Sequence, residues 1–263
     1  MSRATVAPES TNRHDWQSSA RAFGARWLPA LAIVAGIIVL WEGYVRVFDI
    51  EKWLLPAPSA VVATIGDSAG LLARHSWVTL EEIAIGFGLA LAAGVALAST
   101  IGLSRTVERA LYPFVIASQT IPIIVIAPML LIWVGYGLAP KVIVVALISF
   151  FPIAVNMADG LKSADADTIS LMRTLGANRW QIFAKIQAPT SLPYLFSGMR
   201  VAIAVSVIGA VIGEWVGSSE GLGYLMIRSK PLFLTERVFA AITILSAMGV
   251  GLFTLVGIVE RVA

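Results

Sequence analysis

Apolar residues in this chain come in long runs. They do not alternate as in a half-buried strand, nor form the spaced stripe of a soluble amphipathic helix. Six runs stand out, at about residues 27–48, 79–103, 112–134, 138–157, 195–216 and 238–259. Each holds roughly twenty residues, the length a helix needs to cross the hydrocarbon core of a bilayer. The pattern predicts an all-α integral membrane protein with six transmembrane helices. The third and fourth runs are separated only by Gly135-Tyr136-Gly137, which predicts a tight helical hairpin. Pro122 and Pro128 fall inside the third run and are expected to break its helix.

Composition narrows the class further. Hydrophobic residues make up 58% of the 263 positions and charged residues 13%. A soluble domain carries about 25% charged residues, so half the charge needed for a water-facing surface is missing. A soluble enzyme, a disordered chain and a disulfide scaffold are excluded. There is no cysteine, hence no disulfide, thiolate metal site or cysteine nucleophile. The two histidines, His14 and His75, both lie in polar stretches. No paired-histidine, metal-ligand or nucleophile–base arrangement points to a membrane-embedded enzyme.

The chain is polar through Arg26, and the run that follows is too long for a signal-peptide core. Residues 1–26 are read as a disordered cytoplasmic tail, and 27–263 as a six-span membrane domain. With the N-terminus inside, twelve of the nineteen Lys and Arg residues fall in inside segments and seven outside. That bias favours cytoplasmic N- and C-termini. Nucleic acid is not needed to explain the net charge of +3.

Two loops carry local structure. Pro56-Ala57-Pro58-Ser59 precedes a mildly amphipathic stretch, Ala60 to Arg74, where Ser59 is a candidate N-cap. The longest inside loop, 158–194, is far more specified. Asp165 and Asp167 can start a helix there, and Gly176 can end it. Asn178 can cap a second short helix, with Gln181 completing a reciprocal capping box. Trp180, Phe183 and Ala184 share one face of it. Pro189 and Pro193 bracket the restart into the fifth span. An aromatic face on such a helix suits either a protein-docking surface or the membrane interface.

Gly176, nine residues, then Ile186-Gln187-Ala188-Pro189 resembles the cytoplasmic signature of ABC importer permeases. That signature reads Glu-Ala-Ala, three residues, Gly, nine residues, Ile-x-Leu-Pro. Here Ser170-Leu171-Met172 stand in place of Glu-Ala-Ala, and Ala188 replaces the leucine. Three further segments resemble the branch for nitrate, sulfonate, taurine and pyrimidine thiamine-precursor uptake. They are Leu55-Pro56-Ala57-Pro58-Ser59, Gln119-Thr120-Ile121-Pro122, and Gly213-Glu214-Trp215 running on to Gly221-Leu222-Gly223-Tyr224. The Gly-Glu-Trp run leans toward importers of pyrimidine precursors or riboflavin.

The resemblance implies the type I importer permease fold in a bacterial inner membrane, working with several partners. These are a second permease subunit (a homodimer is expected), two cytoplasmic ABC ATPase subunits, an extracytoplasmic solute-binding protein and membrane lipid. The chain has no G-x-x-x-x-G-K-[ST] loop, so ATP and Mg are expected on the partner subunits and no cofactor on this chain. The resemblance places ATPase docking at Gly176, Ala177, Asn178, Arg179, Trp180 and Phe183. Candidates for the translocation pathway or gate are Gln119, Thr120, Asn156, Glu214 and Trp215, because polar groups are costly inside a span. Glu42, Glu81 and Glu82 are expected at span ends, reaching water. The glycines of the second span (Gly86, Gly88, Gly94) and the sixth (Gly249, Gly251, Gly257) are expected to allow close helix packing. The alternatives are a nitrate, sulfonate or taurine permease and a stand-alone secondary transporter; the latter often shows an internal repeat, which is not evident here.

Overall fold

A computed structural model describes residues 15–118 and 120–262. The described residues form helices and turns, with no strand. The chain divides into two compact units, Met1–Ala60 and Val61–Ala263.

The first unit contains α1 (Asp15–Val47), which begins well before the apolar run. The tail expected to be disordered is therefore helical from Asp15, while residues 1–14, His14 among them, lie outside the described residues. Near the end of α1, Glu42 pairs with Arg46 at 2.6 Å. It also accepts hydrogen bonds from the Ser59 N–H at 3.0 Å and the Ser59 hydroxyl at 2.7 Å. α2 (Pro58–Asp67) starts at the proline, so Ser59 is not its N-cap. The Glu42 carboxylate takes over the cap's task, satisfying a first-turn N–H that has no partner within the helix.

The second unit is built on three long helices: α3 (Ala69–Leu103), α6 (Leu138–Lys162) and α9 (Ala188–Gly217). α6 packs along both α3 and α9. Small residues permit that approach. A Cβ on Gly86 would lie 2.5 Å from Val145, and one on Gly198 would lie 2.6 Å from the Pro152 carbonyl oxygen. Gly94 likewise sits against Ile153, whereas Gly88 and Gly251 face open space. The packing role expected of the glycines therefore holds for some of them and not for all. Gly86→Ala should separate α3 from α6 and destabilise the protein by about 1–3 kcal/mol, the usual effect of overpacking. Thermal unfolding of the purified protein checks this, and an unchanged midpoint would contradict the close contact.

The third apolar run is two helices. α4 (Arg105–Ser118) and α5 (Ile123–Val134) meet at a bend that includes Thr120 and Ile121. Pro122 lacks an N–H and disfavours helical backbone at Ile121, so the break falls there. Pro128 and Pro113 remain inside their helices, so the break expected at Pro128 does not occur. At 1.5 Å per residue, the 12 residues of α5 rise about 18 Å, short of a roughly 30 Å hydrocarbon core. Among the described residues, five helices are long and apolar enough to cross a membrane, and α5 is a shorter apolar one. The expected turn between α5 and α6 is present, with Gly135 and Gly137 at φ 91° and 123°.

α7 (Ala166–Thr174), α8 (Arg179–Ile182), α10 (Leu222–Ser229) and α11 (Thr235–Val262) complete the unit. Leu222 and Leu225 of α10 pack with Leu72 of α3 and with Ala240, Ala241 and Leu245 of α11.

Candidate functional site

The α6–α9 connection carries most of the residues singled out by the sequence. Asp165 caps α7, accepting from the Thr168 N–H at 2.8 Å. Bonds from the Thr168 hydroxyl, and then from its N–H, hold the Asp165 carboxyl below the usual carboxylate range. α7 ends at Thr174, and the chain turns away at Gly176, whose φ of 81° suits a residue without a Cβ. Asn178 and Gln181 form the expected capping box: Asn178 Oδ1 accepts from the Gln181 N–H at 2.9 Å, and Gln181 Oε1 from the Asn178 N–H at 2.8 Å.

The short helix does not stop before the next span. α8 passes through a π-turn at Phe183–Gln187 into α9, giving one continuous helical rod from Arg179 to Gly217. The π-turn shifts the hydrogen-bond register just before Pro189, which sits in the first turn of α9, where a missing N–H is tolerated. The restart expected at the prolines is therefore a change of register in a continuing helix.

Trp180 is 67% exposed and meets the Phe183 ring edge-on, 6.1 Å between centroids. Phe183 is half-buried and packs toward Ala98, Ile101, Met157 and Leu161. Ile182, not singled out by the sequence, is buried and pins the turn from beneath. Behind the turn lies a cleft of about 630 Å³, lined by Ser104, Glu108, Lys162, Arg173 and Arg179 among others. Glu108 pairs with Lys162 at 2.8 Å across it.

Among the pathway candidates, Gln119 lies outside the described residues. Thr120 is exposed and donates to the Ala117 carbonyl at 2.7 Å. Asn156 is half-buried and donates to the Pro152 carbonyl at 2.7 Å. Both bonds are local. Trp215 is 44% exposed.

Glu214 is the centre of a buried polar cluster. It is 1% exposed. Its Oε1 accepts from the Thr79 hydroxyl at 2.6 Å, and its Oε2 accepts from the N–H groups of Gly223 and Tyr224. The Thr79 oxygen in turn accepts from the Leu222 N–H at 2.9 Å, and His75 Nδ1 from the Gly221 N–H at 2.9 Å. Four successive backbone N–H groups that open α10 are thus satisfied by side chains of α3 and α9. Beside them, Lys141 of α6 pairs with Glu82 of α3 and donates to Ser218 at 3.1 Å. Glu82 is fully buried, contrary to the expectation that it reaches water. The reason is that its charge has a partner inside the protein, which lowers the penalty of leaving water. His75, Thr79, Glu82, Lys141 and Ser218 were not identified from sequence as part of a site. The available signal was a lysine just inside the fourth apolar run, since a cation at that depth needs an anion.

Residues 86–262 match the family model described as binding-protein-dependent transport system inner membrane component. The chain is 41% identical to the formylaminopyrimidine transport permease protein of Halalkalibacterium halodurans over 215 residues, covering 81% of this chain and 86% of that one. It is 36% identical to the riboflavin transport system permease protein of Chloroflexus aurantiacus over 263 residues, covering 99% and 95%. Its fold resembles that of the MetNI methionine ABC transporter in inward-facing form, with a TM-score of 0.66 at 19% identity, covering 74% of this chain and 97% of that one. These matches set aside the stand-alone secondary transporter. The chain belongs to the inner-membrane components of binding-protein-dependent transport systems: it is a multi-pass permease subunit of an ABC importer, itself not an enzyme, whose ATPase is a separate subunit.

Proposed function

We propose that this permease imports a small nitrogen heterocycle, a pyrimidine precursor or a flavin, delivered by an extracytoplasmic binding protein. The observation that carries the reading is the pair of relatives at 41% and 36% identity, whose names specify formylaminopyrimidine and riboflavin. The test is thermal shift of the cognate binding protein against pyrimidines, flavins, sulfonates, taurine and nitrate. Stabilisation by a pyrimidine or flavin supports the assignment; stabilisation only by a sulfonate, taurine or nitrate overturns it.

In this reading two copies of the chain form the translocation unit, with both termini cytoplasmic, as the Lys and Arg distribution favours. Each copy docks one ATPase at Gly176, Ala177, Asn178, Arg179, Trp180 and Phe183. Support comes from the exposure of Trp180 on a turn fixed by Gly176, the Asn178–Gln181 box and buried Ile182. A continuous rod from Arg179 to Gly217 then gives ATPase movement a stiff path to Glu214. ATP and Mg stay on the ATPase. ATP binding acts as a remote bias on a two-state membrane element. The pathway or gate draws on Gln119, Thr120, Asn156, Glu214 and Trp215, with Glu214 acting by holding the 218–224 segment.

Trp180→Asp should weaken ATPase association about tenfold or more, because an interface tryptophan truncated at a docking site typically costs 2 kcal/mol or above. Co-purification of the tagged permease with its ATPase reads this. Wild-type recovery and wild-type solute-stimulated hydrolysis would remove Trp180 from the interface.

A further inference from the structure

The buried cluster has one carboxyl too many. Glu82 and Glu214 are 0% and 1% exposed and belong to one cluster: Thr79, a turn before Glu82 on α3, bonds Glu214, and Lys141, the partner of Glu82, bonds Ser218, a turn after Glu214. Among the described residues one ammonium, Lys141, pairs with Glu82, and no cation pairs with Glu214.

Among the described residues, the other groups bonded to the cluster supply no second positive charge. On α3, His75 accepts the Gly221 N–H at Nδ1, so its ring is neutral with the hydrogen on Nε2. Arg74, also on α3, is spent at the rim on Glu220. From α9 and the segment before α10 come Glu214, Ser218 and backbone N–H groups. Tyr224 lies against His75, their ring centroids 6.2 Å apart. With both carboxyls ionised, the cluster would hold an uncompensated negative charge where water does not reach.

A second observation is independent of that charge count. Glu82 Oε2 is buried and meets no hydrogen-bond donor among the described residues. Glu214, by contrast, takes its donors from Thr79, Gly223 and Tyr224. The orphaned oxygen lacks a donor, and a carboxyl neighbour can supply one only as O–H. Two like-charged carboxyls in one dry site cannot both ionise and settle the matter by sharing a proton.

We propose that Glu82 and Glu214 bind one proton between them while the 218–224 segment is seated. That proton leaves a neutral set of one carboxylate, one carboxylic acid and one ammonium. It also fills the vacant position at Glu82. The site is a proton-binding site shared by α3 and α9, and its ligand is a single H⁺. It does not depend on which solute is carried.

The test is infrared spectroscopy of the assembled transporter in lipid nanodiscs at neutral pH. Wild type should show a protonated-carboxyl C=O band that shifts in D2O. Glu82→Gln and Glu214→Gln should each lose that band, because the remaining carboxyl then ionises beside Lys141. Each single variant should also keep its unfolding midpoint, since an amide N–H replaces the carboxyl O–H. The double variant should unfold at lower temperature, as Lys141 loses both anions. No such band in wild type, or a band that persists in both single variants, overturns the proposal. An absent band in the wild type overturns the proposal even if a variant fails to assemble, and loss of the band in either single variant that assembles supports it.

Discussion

Replacing Lys141 with methionine should destabilise the assembled protein by about 3–5 kcal/mol, the usual loss when one partner of a buried ion pair is removed. Lys141 is 8% exposed and Glu82 is fully buried. Methionine fills a similar volume, so the change isolates charge from packing. Without the ammonium, Glu82 loses its cation and Ser218 loses a hydrogen-bond donor. Both carboxyls must then be neutral or the helices must part to admit water. Thermal unfolding and the yield of monodisperse complex measure the effect. Glu82→Gln is the control, because it keeps a polar partner of the same shape for Lys141 and leaves the Lys141–Ser218 bond in place. A Lys141→Met protein as stable as wild type would contradict the ion-pair account of the α3–α6–α9 contact.

Gly221→Ala should slow transport severalfold to a hundredfold, about 1–3 kcal/mol of strain, while leaving the ATPase bound. Gly221 has φ of 112°, where an L side chain is strained. A Cβ there would also fall onto the Glu214 carboxyl. The two effects act together. Backbone strain of about 1–3 kcal/mol comes with displacement of the acceptor that holds the Gly223 and Tyr224 N–H groups. The 218–224 segment would then lose its seat on α3 and α9. A shift of that size is about fivefold to a hundredfold or more in a conformational equilibrium. Uptake into proteoliposomes should fall by about that factor, while ATPase co-purification stays unchanged because Gly176 to Phe183 lie in a different connection. Uptake at the wild-type rate would show that the seated segment is not needed for transport.

Much of this was legible in the sequence, for reasons particular to each element. The Asn178–Gln181 box and the Gly176 stop are local, set by residues three apart or by one positive φ, and both appear where the pattern put them. The helical continuity from Arg179 to Gly217 was not legible, because a π-turn lets Pro189 stand where prolines usually announce a new start. The division of the third apolar run was half legible. Two prolines invited a break, and only Pro122 follows a residue free to leave the helix.

The carboxylate cluster was the largest omission. Glu82, Lys141 and Glu214 are 59 and 73 residues apart in sequence, so no local pattern joins them. Their depths do. Glu82 lies near the start of the second run, Lys141 near the start of the fourth, and Glu214 near the end of the fifth. With alternating crossings, those three ends fall on one face of a membrane. Counting charges by depth along each span, rather than by loop, would have brought them together.

This chain should move solute only when a partner ATPase drives it. The permease should be reconstituted in proteoliposomes with its ATPase and its binding protein, and radiolabelled solute uptake followed with and without ATP. The expected result is uptake that requires ATP, the binding protein and an ATPase with an intact ATP site. Uptake at the same rate without ATP, or with the ATPase omitted, would contradict the account.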